Sequence, residues 1–416
     1  MKLNNIPKPI KIINWSMVVS FAASLGYQPI YPVAGGLCKK NRLPQPADLP
    51  RNYAVLISAR NEEDVIGGLI ESIKAQDYTA GKVDVYVIAD NCTDETAKVA
   101  KKAGAIVCKR KNDRQIGKGY ALRYLYRALE KTGRAERYDG FFIFDADNRL
   151  EPDYITQMNR VFGEEYPVVT SYRNSRNIAD SHIAYNSGLW FLHDAQFLNK
   201  SRMELGSSCM VNGTGYLIGK SVLDEAGGWN FCLMTEDVEF NAWCITHKIQ
   251  IGYCEKACFY DTQPQTFKES WNQRVRWTRG FFDVYKKYGR DLRRGLKDGE
   301  LGLSAFDMLM SNMPAFVITS CATIAYLAVI FSFLLTGRNI RPIFKGLFKV
   351  VSRILIILTA LGFYTTAEEW KHIDAPAGKK LGYTLFFPFY LMTYAPVAIA
   401  ALIRKVEWKQ TDHSTK

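Results

Sequence analysis

Three stretches of this 416-residue chain contain no Asp, Glu, Lys or Arg: 27 residues from Ile12 to Cys38, 30 from Met308 to Gly337 and 23 from Leu381 to Ile403. A bilayer core needs roughly 20 consecutive apolar residues, so each stretch is long enough to cross, the alternative being a buried core helix. The mean hydropathy of −0.14 resembles that of a water-soluble enzyme only because it averages a polar middle with apolar flanks. A fourth candidate, Leu347–Ala367, is interrupted by Lys349 and Arg353 and reads either as a span with snorkelling cations or as an interfacial segment. The first stretch exceeds a signal-peptide core and lacks a small-x-small cleavage site. It predicts an uncleaved anchor with Pro29 and Pro32 near its exit.

The pattern divides the chain into an anchor (1–40), an α/β domain (41–290), a basic juxtamembrane segment (291–312), two or three further spans (313–404) and a basic tail (405–416). Lys2, Lys8 and Lys11 before the anchor balance Lys39, Lys40 and Arg42 after it, so the positive-inside rule leaves orientation open at that end. Arg404, Lys405, Lys409 and Lys416 favour a cytoplasmic C-terminus. The nine cysteines are scattered without a C-x-x-C pair and read as reduced structural thiols.

Between Asn52 and Asp307, apolar runs alternate with amphipathic stretches, as in strands feeding helices. Strands are expected at Tyr53–Arg60, Val83–Ala89, Ala105–Cys108 and Gly140–Phe144, with helices over Glu63–Ala75, through Ala103 and over Gly119–Lys131. Further helices are expected near Ile183–Lys200, Val238–His247 and Phe267–Tyr288. Lys286–Lys297 sets six cations against one acid and reads as a patch facing anionic lipid. Nucleic acid is not expected, because no helix-turn-helix, zinc-finger or single-strand-binding signature accompanies the charge.

Functional groups of parallel α/β sheets gather at the carboxyl ends of strands, and three such ends are polar here: Ser58–Glu63, Asp90–Asp94 and Asp145–Asn148. Asp145-Ala146-Asp147 offers two hard oxygen donors on a rigid strand, which suit a divalent cation that keeps waters and bridges phosphate oxygens. The structural alternative is a cap, by Asp147 or Asn148, for a helix introduced by Pro152. Asp94 reads as a capping residue, whereas Asp90 is placed to accept hydrogen bonds from a ligand such as a nucleobase. Gly117-Lys118-Gly119 opens a helix where N–H groups and a lysine meet phosphate, without the spacing of a Walker A loop. Of Glu236-Asp237, one acid is expected to cap the following helix and the other to serve as a general base. Gln273-Arg274-Val275-Arg276-Trp277 brings together two guanidiniums suited to a diphosphate and an indole suited to a sugar face. Its structural alternative is a solvated basic helix with a buried Trp.

In this order Asp90, Asp145-x-Asp147, Thr235-Glu236-Asp237 and Gln273-x-x-Arg276-Trp277 resemble the membrane-embedded processive glycosyltransferases of family 2, the group of cellulose, chitin and hyaluronan synthases. The resemblance covers about Tyr53–Tyr288 and the flanking segments. It implies a cytosolic α/β domain of the GT-A (Rossmann-like) type flanked by transmembrane helices, in a multi-pass protein of the cytoplasmic membrane. It also implies Asp90 on uracil, Glu62, Lys118 and Asp145 near the nucleotide, and Mg²⁺ or Mn²⁺ on Asp147. Asp237 would be the base and Arg276 would meet the diphosphate, with Gln273, Trp277 and Glu236 on the acceptor side. The implied reaction is inverting transfer from a UDP-sugar to a growing polysaccharide or other glycan. The alternatives are transfer of one sugar to a lipid-linked acceptor, or a non-catalytic nucleotide-sugar-binding module. The chain has fewer membrane helices than the larger synthases, which leaves open whether a translocation channel forms alone or with a homo-oligomer or an export partner. Asn212-Gly213-Thr214-Gly215 stands where cellulose synthases carry a Cys-containing acceptor motif.

Overall fold

The computed structural model describes residues 7–37, 49–299, 301–312 and 314–404. Cys38, the cations Lys39, Lys40 and Arg42, and the 405–416 tail lie outside the described residues. The first apolar stretch is not one helix: α1 (Lys8–Leu25) is followed by a 3₁₀ turn at Gln28–Ile30 and by α2 (Tyr31–Leu37). Pro29 and Pro32 account for the restart, since proline lacks the N–H that would continue a helix.

The middle of the chain alternates as its apolar runs require. It begins β1 (Tyr53–Ala59), α3 (Ile66–Lys74), β2 (Val83–Asp90), α4 (Thr96–Lys102), β3 (Ile106–Arg110), α5 (Lys118–Lys131) and β4 (Gly140–Asp145). There follow β5 (Arg149–Leu150), α6 (Tyr154–Val161), β6 (Val168–Ser175), α7 (His182–His193), a π-helical turn (Asp194–Asn199) and α8 (Lys200–Glu204). The domain closes with β7 (Tyr216–Gly219), α9 (Lys220–Glu225), α10 (Glu236–Thr246) and β8 (Ile251–Asp261). The eight strands form one sheet in the order β3-β2-β1-β4-β7-β6-β8-β5. Helices cover both faces, one core gathering around Leu56, Ile143 and Tyr216 and the other around Val55, Val87 and Phe142. Burial on both faces is why the strands read as unbroken apolar runs. β1, β2 and β4 are parallel, with Ser58 level with Asp145 and Ala59 with Ala89, so their polar carboxyl ends lie along one edge.

Two local expectations change. Helix α3 starts at Ile66 rather than Glu63, because the preceding amides are used elsewhere: Glu62 N–H donates to Thr96 Oγ1 (2.7 Å) and Glu63 N–H to Asp94 Oδ2 (3.1 Å). Neither Asp147 nor Asn148 caps a helix, since α6 begins only at Tyr154.

Helix α11 (Phe267–Lys297) runs for 31 residues, through residue 290 and the whole Lys286–Lys297 basic run, from a Thr266/Glu269 capping box. Next come α12 (Gly302–Asn312), α13 (Pro314–Leu335), α14 (Arg341–Glu368), α15 (Ala377–Thr384), α16 (Phe387–Met392) and α17 (Tyr394–Ile403). Leu347–Ala367 falls inside the continuous α14. Arg341–Glu368 and the Ala377–Ile403 run are long and apolar enough to cross a membrane, by length and composition. The latter is divided into α15, α16 and α17, with Pro388 and Pro396 in the first turns of the last two.

Arg274 joins α11 to this divided run and is fully buried. Its Nη1 donates to the Tyr390 carbonyl (2.9 Å) and the Thr393 hydroxyl (2.5 Å), and the guanidinium lies 4.4 Å from the centre of the Tyr390 ring. Carbonyls beside a helix break need donors, and in apolar surroundings only the protein supplies them. Hydrogen bonds to charged groups contribute about 1.5–3 kcal/mol each. Arg274→Ala is therefore expected to loosen α16–α17 from α11 by about 3 kcal/mol, read as a lower unfolding temperature of the full chain in detergent and new proteolysis between Thr384 and Tyr394. An unchanged melting curve and cleavage pattern would contradict this role.

Candidate active site

The site is built around one cation. Lys118 occupies the first position of α5, after Gly117, and its ammonium donates to Asp145 Oδ1 (2.5 Å) and to the Gly213 carbonyl (2.6 Å). Gly213 has φ +83°, and a Cβ there would lie 3.5 Å from Asp237 Oδ2, so a left-handed turn brings Lys118 and Asp237 to one loop. Thr214 Oγ1 accepts the Asp145 N–H (2.9 Å) and donates to Asn148 Oδ1. Asp147 is buried, its Oδ2 accepting the Thr262 N–H (3.1 Å) and its Oδ1 the Asn148 amide (3.1 Å).

Thr235 is the N-cap of α10, and Glu236 and Asp237 occupy its first turn. The expectation that one of these acids caps the helix is corrected: neither is the N-cap, and Asp237 instead accepts first-turn amides of Asp237 and Val238. Close approach of α11 fixes this start, because a Cβ at Gly280 would fall 2.3 Å from Thr235 Cγ2.

The acids repel one another. Burial, then Asp147 and Asp145, pushes the Glu62 carboxyl up to about 9. Burial also raises Glu236, reinforced by Asp237 and Asp145 and opposed by Lys118. Asp237 is raised by burial, against the pull of the Val238 amide and Lys118. Arg276 is depressed by burial while Glu236, Asp145 and Asp237 act to raise it, so its guanidinium faces the same acids. Glu62, Lys118, Asp145, Asp147, Glu236, Asp237 and Arg276 thus converge.

Three other expected residues have surroundings of their own. Asp90 is at the end of β2, but its Oδ1 is taken by Arg110 at 2.5 Å. The β2–β3 register sets these two residues level. Gln273 and Trp277 lie along α11; Gln273 Oε1 is buried with no hydrogen-bond partner among the described residues, and the indole meets the Phe191 ring edge-on at 6.1 Å. Of the two guanidiniums in the Gln273–Trp277 motif only Arg276 faces the acids, which corrects the paired clamp. Residues two apart on a helix are about 200° apart around its axis, and Arg274 points to α16–α17 instead.

The sequence reading missed Glu239. Its Oε2 accepts the amides of Cys232 and Leu233 (2.8 Å each) and its Oε1 the Lys287 ammonium (2.5 Å), fastening the loop before Thr235 to α11. A third acid within the first turn after Thr235 was the available signal. That loop and α5 enclose a cavity of about 180 Å³ lined by Gly117, Lys118, Cys232 and Glu236.

Among the described residues, no group of three or more His, Cys, Asp or Glu side chains is placed to cage a metal. The donor set is the carboxylate pair Asp145 and Asp147, with Glu62 raised by both. That set fits Mg²⁺ or Mn²⁺, which keep waters and take phosphate oxygens beside one or two carboxylates. It does not fit an all-protein Ca²⁺ or Zn²⁺ cage.

The profile of the family described as "Glycosyltransferase like family 2" matches residues 50–280. The chain is 22% identical over 378 residues to a beta-monoglucosyldiacylglycerol synthase of Synechocystis, covering 86% of this chain and 74% of the relative. It is 24% identical over 287 residues to a poly-beta-1,6-N-acetyl-D-glucosamine synthase of Staphylococcus epidermidis, covering 68% and 65%. The mannosyltransferase PcManGT of Pyrobaculum calidifontis, solved with GDP-Man and Mn²⁺, superposes with a TM-score of 0.60 at 15% identity, over 94% of this chain and 99% of that one, which shows a shared fold. With the family profile spanning more than half its length, the chain belongs to family 2 of the glycosyltransferases and is an enzyme of the GT-A fold.

Proposed function

We propose that the enzyme transfers a sugar, with inversion, from a UDP-sugar to a lipid-borne hydroxyl at the cytoplasmic face of a membrane. The observation that carries this reading is the position of α11: the helix bearing Gln273, Arg276 and Trp277 is fastened through Arg274 to the apolar α16–α17 run, so the acceptor side of the site opens where apolar helices gather. In the most apolar 18-residue window of each candidate span only 17% and 33% of the residues are buried, as suits lipid-facing helices. The length of the match to the monoglucosyldiacylglycerol synthase of Synechocystis supports a lipid acceptor.

In this reading the Asp237 carboxylate takes the proton of the acceptor hydroxyl as it attacks the anomeric carbon in line. A single base without an enzyme nucleophile gives inversion. Lys118 and Arg276 hold the departing diphosphate, a preorganised arrangement that needs no reordering as charge develops. A divalent cation on Asp145 and Asp147 would add Lewis-acid neutralisation of the same phosphates. Asp90 and Arg110 flank the base-binding end, and Gln273, Trp277 and Glu236 border the acceptor.

A second reading, extension of a polysaccharide, is favoured by the Gln273–Trp277 motif and the poly-N-acetylglucosamine synthases. Product length separates the two: a single added sugar supports the first, and a ladder supports the second.

Four outcomes test the chemistry. Asp237→Asn should reduce turnover of UDP-glucose by about 10²–10⁴-fold. Because the raised base must be deprotonated to act, activity in the parent enzyme should fall on acidification at a pH above the usual aspartate range near 3.9; full activity down to pH 4 would refute this. After chelation, Mn²⁺ should restore UDP release, and Asp147→Asn should require at least tenfold more Mn²⁺. Undiminished activity in excess EDTA would refute the metal assignment.

A further inference from the structure

Tyr27, in the turn after α1, donates its hydroxyl to Asp307 Oδ1 (2.5 Å). Asp307, on α12 and fully buried, accepts Arg202 Nε on its other oxygen (2.6 Å). Arg202, from α8 and 1% exposed, donates Nη1 to Asn199 Oδ1 (3.1 Å) and reaches Asp194 Oδ1 at 3.4 Å. Asp194 Oδ2 accepts the side-chain amide of Asn212 (2.6 Å). The next residue is Gly213, whose carbonyl holds Lys118 and whose Cα faces Asp237. One buried chain of hydrogen bonds thus links the apolar N-terminal segment to the loop between cation and base.

The carrier of Asp194 is unusual. Asp194–Asn199 is π-helical, the wider turn inserted between α7 and α8. Such insertions reorient side chains and are frequent at functional sites. Asp194 and Asn199 both use theirs on the segment before Gly213: Asn199 Nδ2 donates to the Met210 carbonyl (3.1 Å) and its Oδ1 accepts the Met210 N–H (2.9 Å). Two carboxylates around one guanidinium, nearly all out of water, stand only while every member is paired, because losing a partner leaves a buried charge uncompensated. The set therefore holds together as a unit. Tyr27 also packs edge-on against Phe306 and Tyr31 at 5.1 Å each, so its hydroxyl reaches Asp307 only when the N-terminal segment is seated on α12.

We propose that Asp194 is a positioning residue for the Asn212–Gly215 turn, and that through Arg202 and Asp307 it makes the order of that turn depend on the seating of the N-terminal apolar segment at Tyr27. The enzyme would then be fully competent only with this segment docked, coupling transfer to correct insertion at the membrane. This inference rests on the transfer reading above, and its test is separable from it.

The test is hydrogen–deuterium exchange of the full chain in detergent, comparing the parent with Tyr27→Phe and with Asp194→Asn. Both substitutions keep size and should fold. Exchange in peptides covering 210–215 should rise several-fold in each variant, with β1, β2 and β4 unchanged. Unchanged exchange at 210–215 would overturn the proposal, as would a uniform rise that includes β1, β2 and β4. With UDP-glucose as donor, both variants should lose about tenfold in kcat while the donor KM stays within about twofold; equal losses in kcat and donor affinity would mean general damage to the fold. Should the parent turn over no UDP-sugar, the donor reading fails, and the exchange result alone decides this inference.

Discussion

Everything at the site is arranged around the Lys118 ammonium, held 2.5 Å from Asp145 and 2.6 Å from the Gly213 carbonyl. It brings together the end of β4, the start of α5 and the Asn212–Gly215 turn, which come from distant parts of the sequence. Without it, Asp145, Glu236 and Asp237 would face one another with only Arg276 to offset them. Carboxylates crowded this way cannot all stay ionised cheaply, which is why burial and mutual repulsion raise Glu62, Glu236 and Asp237 together. A cluster rich in acid and partly compensated by two fixed cations has charges that suit both halves of the metal–diphosphate group proposed as its ligand.

The second constraint is the attachment of this domain to apolar helices. Arg274 and Arg276 are neighbours in sequence and opposites in space, one fastening α11 to α16–α17 and the other facing the acids. A single helix is therefore fastened to the C-terminal run on one face and borders the acid cluster on another. At the other end of the chain, Tyr27 reaches Asp307, and the buried charges beyond it lead to Asn212. The turn after α1 and the α16–α17 run are thus both tied to the rest of the protein through polar groups that are expensive to leave unpaired.

Much of this was readable in the residues. Apolar runs ending in Asp90 and Asp145 located the strand ends, because burial on both faces of the sheet demands such runs and polar residues must mark their exits. Asp147 was picked out as the second acid at such an exit, Lys118 as the cation opening a helix, and Glu236 and Asp237 as acids leading into one. Pairings set by register or by long-range packing were not readable. Arg110 stands beside Asp90 only because β3 extends to it, and the sequence reading ended that strand at Cys108. The Gln273–Trp277 motif reads as bringing two guanidiniums together, with Arg276 given to the diphosphate by the resemblance; that Arg274 turns away to α16–α17 depends on long-range packing. Asp194, Arg202 and Asp307 have no shared motif, since 105 residues separate Arg202 from Asp307, and nothing local signals a π-helical turn between α7 and α8.

The central claim is that the Lys118-centred cluster is a preformed site for a metal-bound nucleoside diphosphate. Calorimetric titration of the full chain in detergent with UDP, with and without Mn²⁺ and with GDP as the competing nucleotide, tests it most directly. The account predicts saturable, Mn²⁺-strengthened binding of UDP that is weakened in Lys118→Ala. Failure of UDP to bind under either condition, or equal binding by the Lys118→Ala chain, would contradict it.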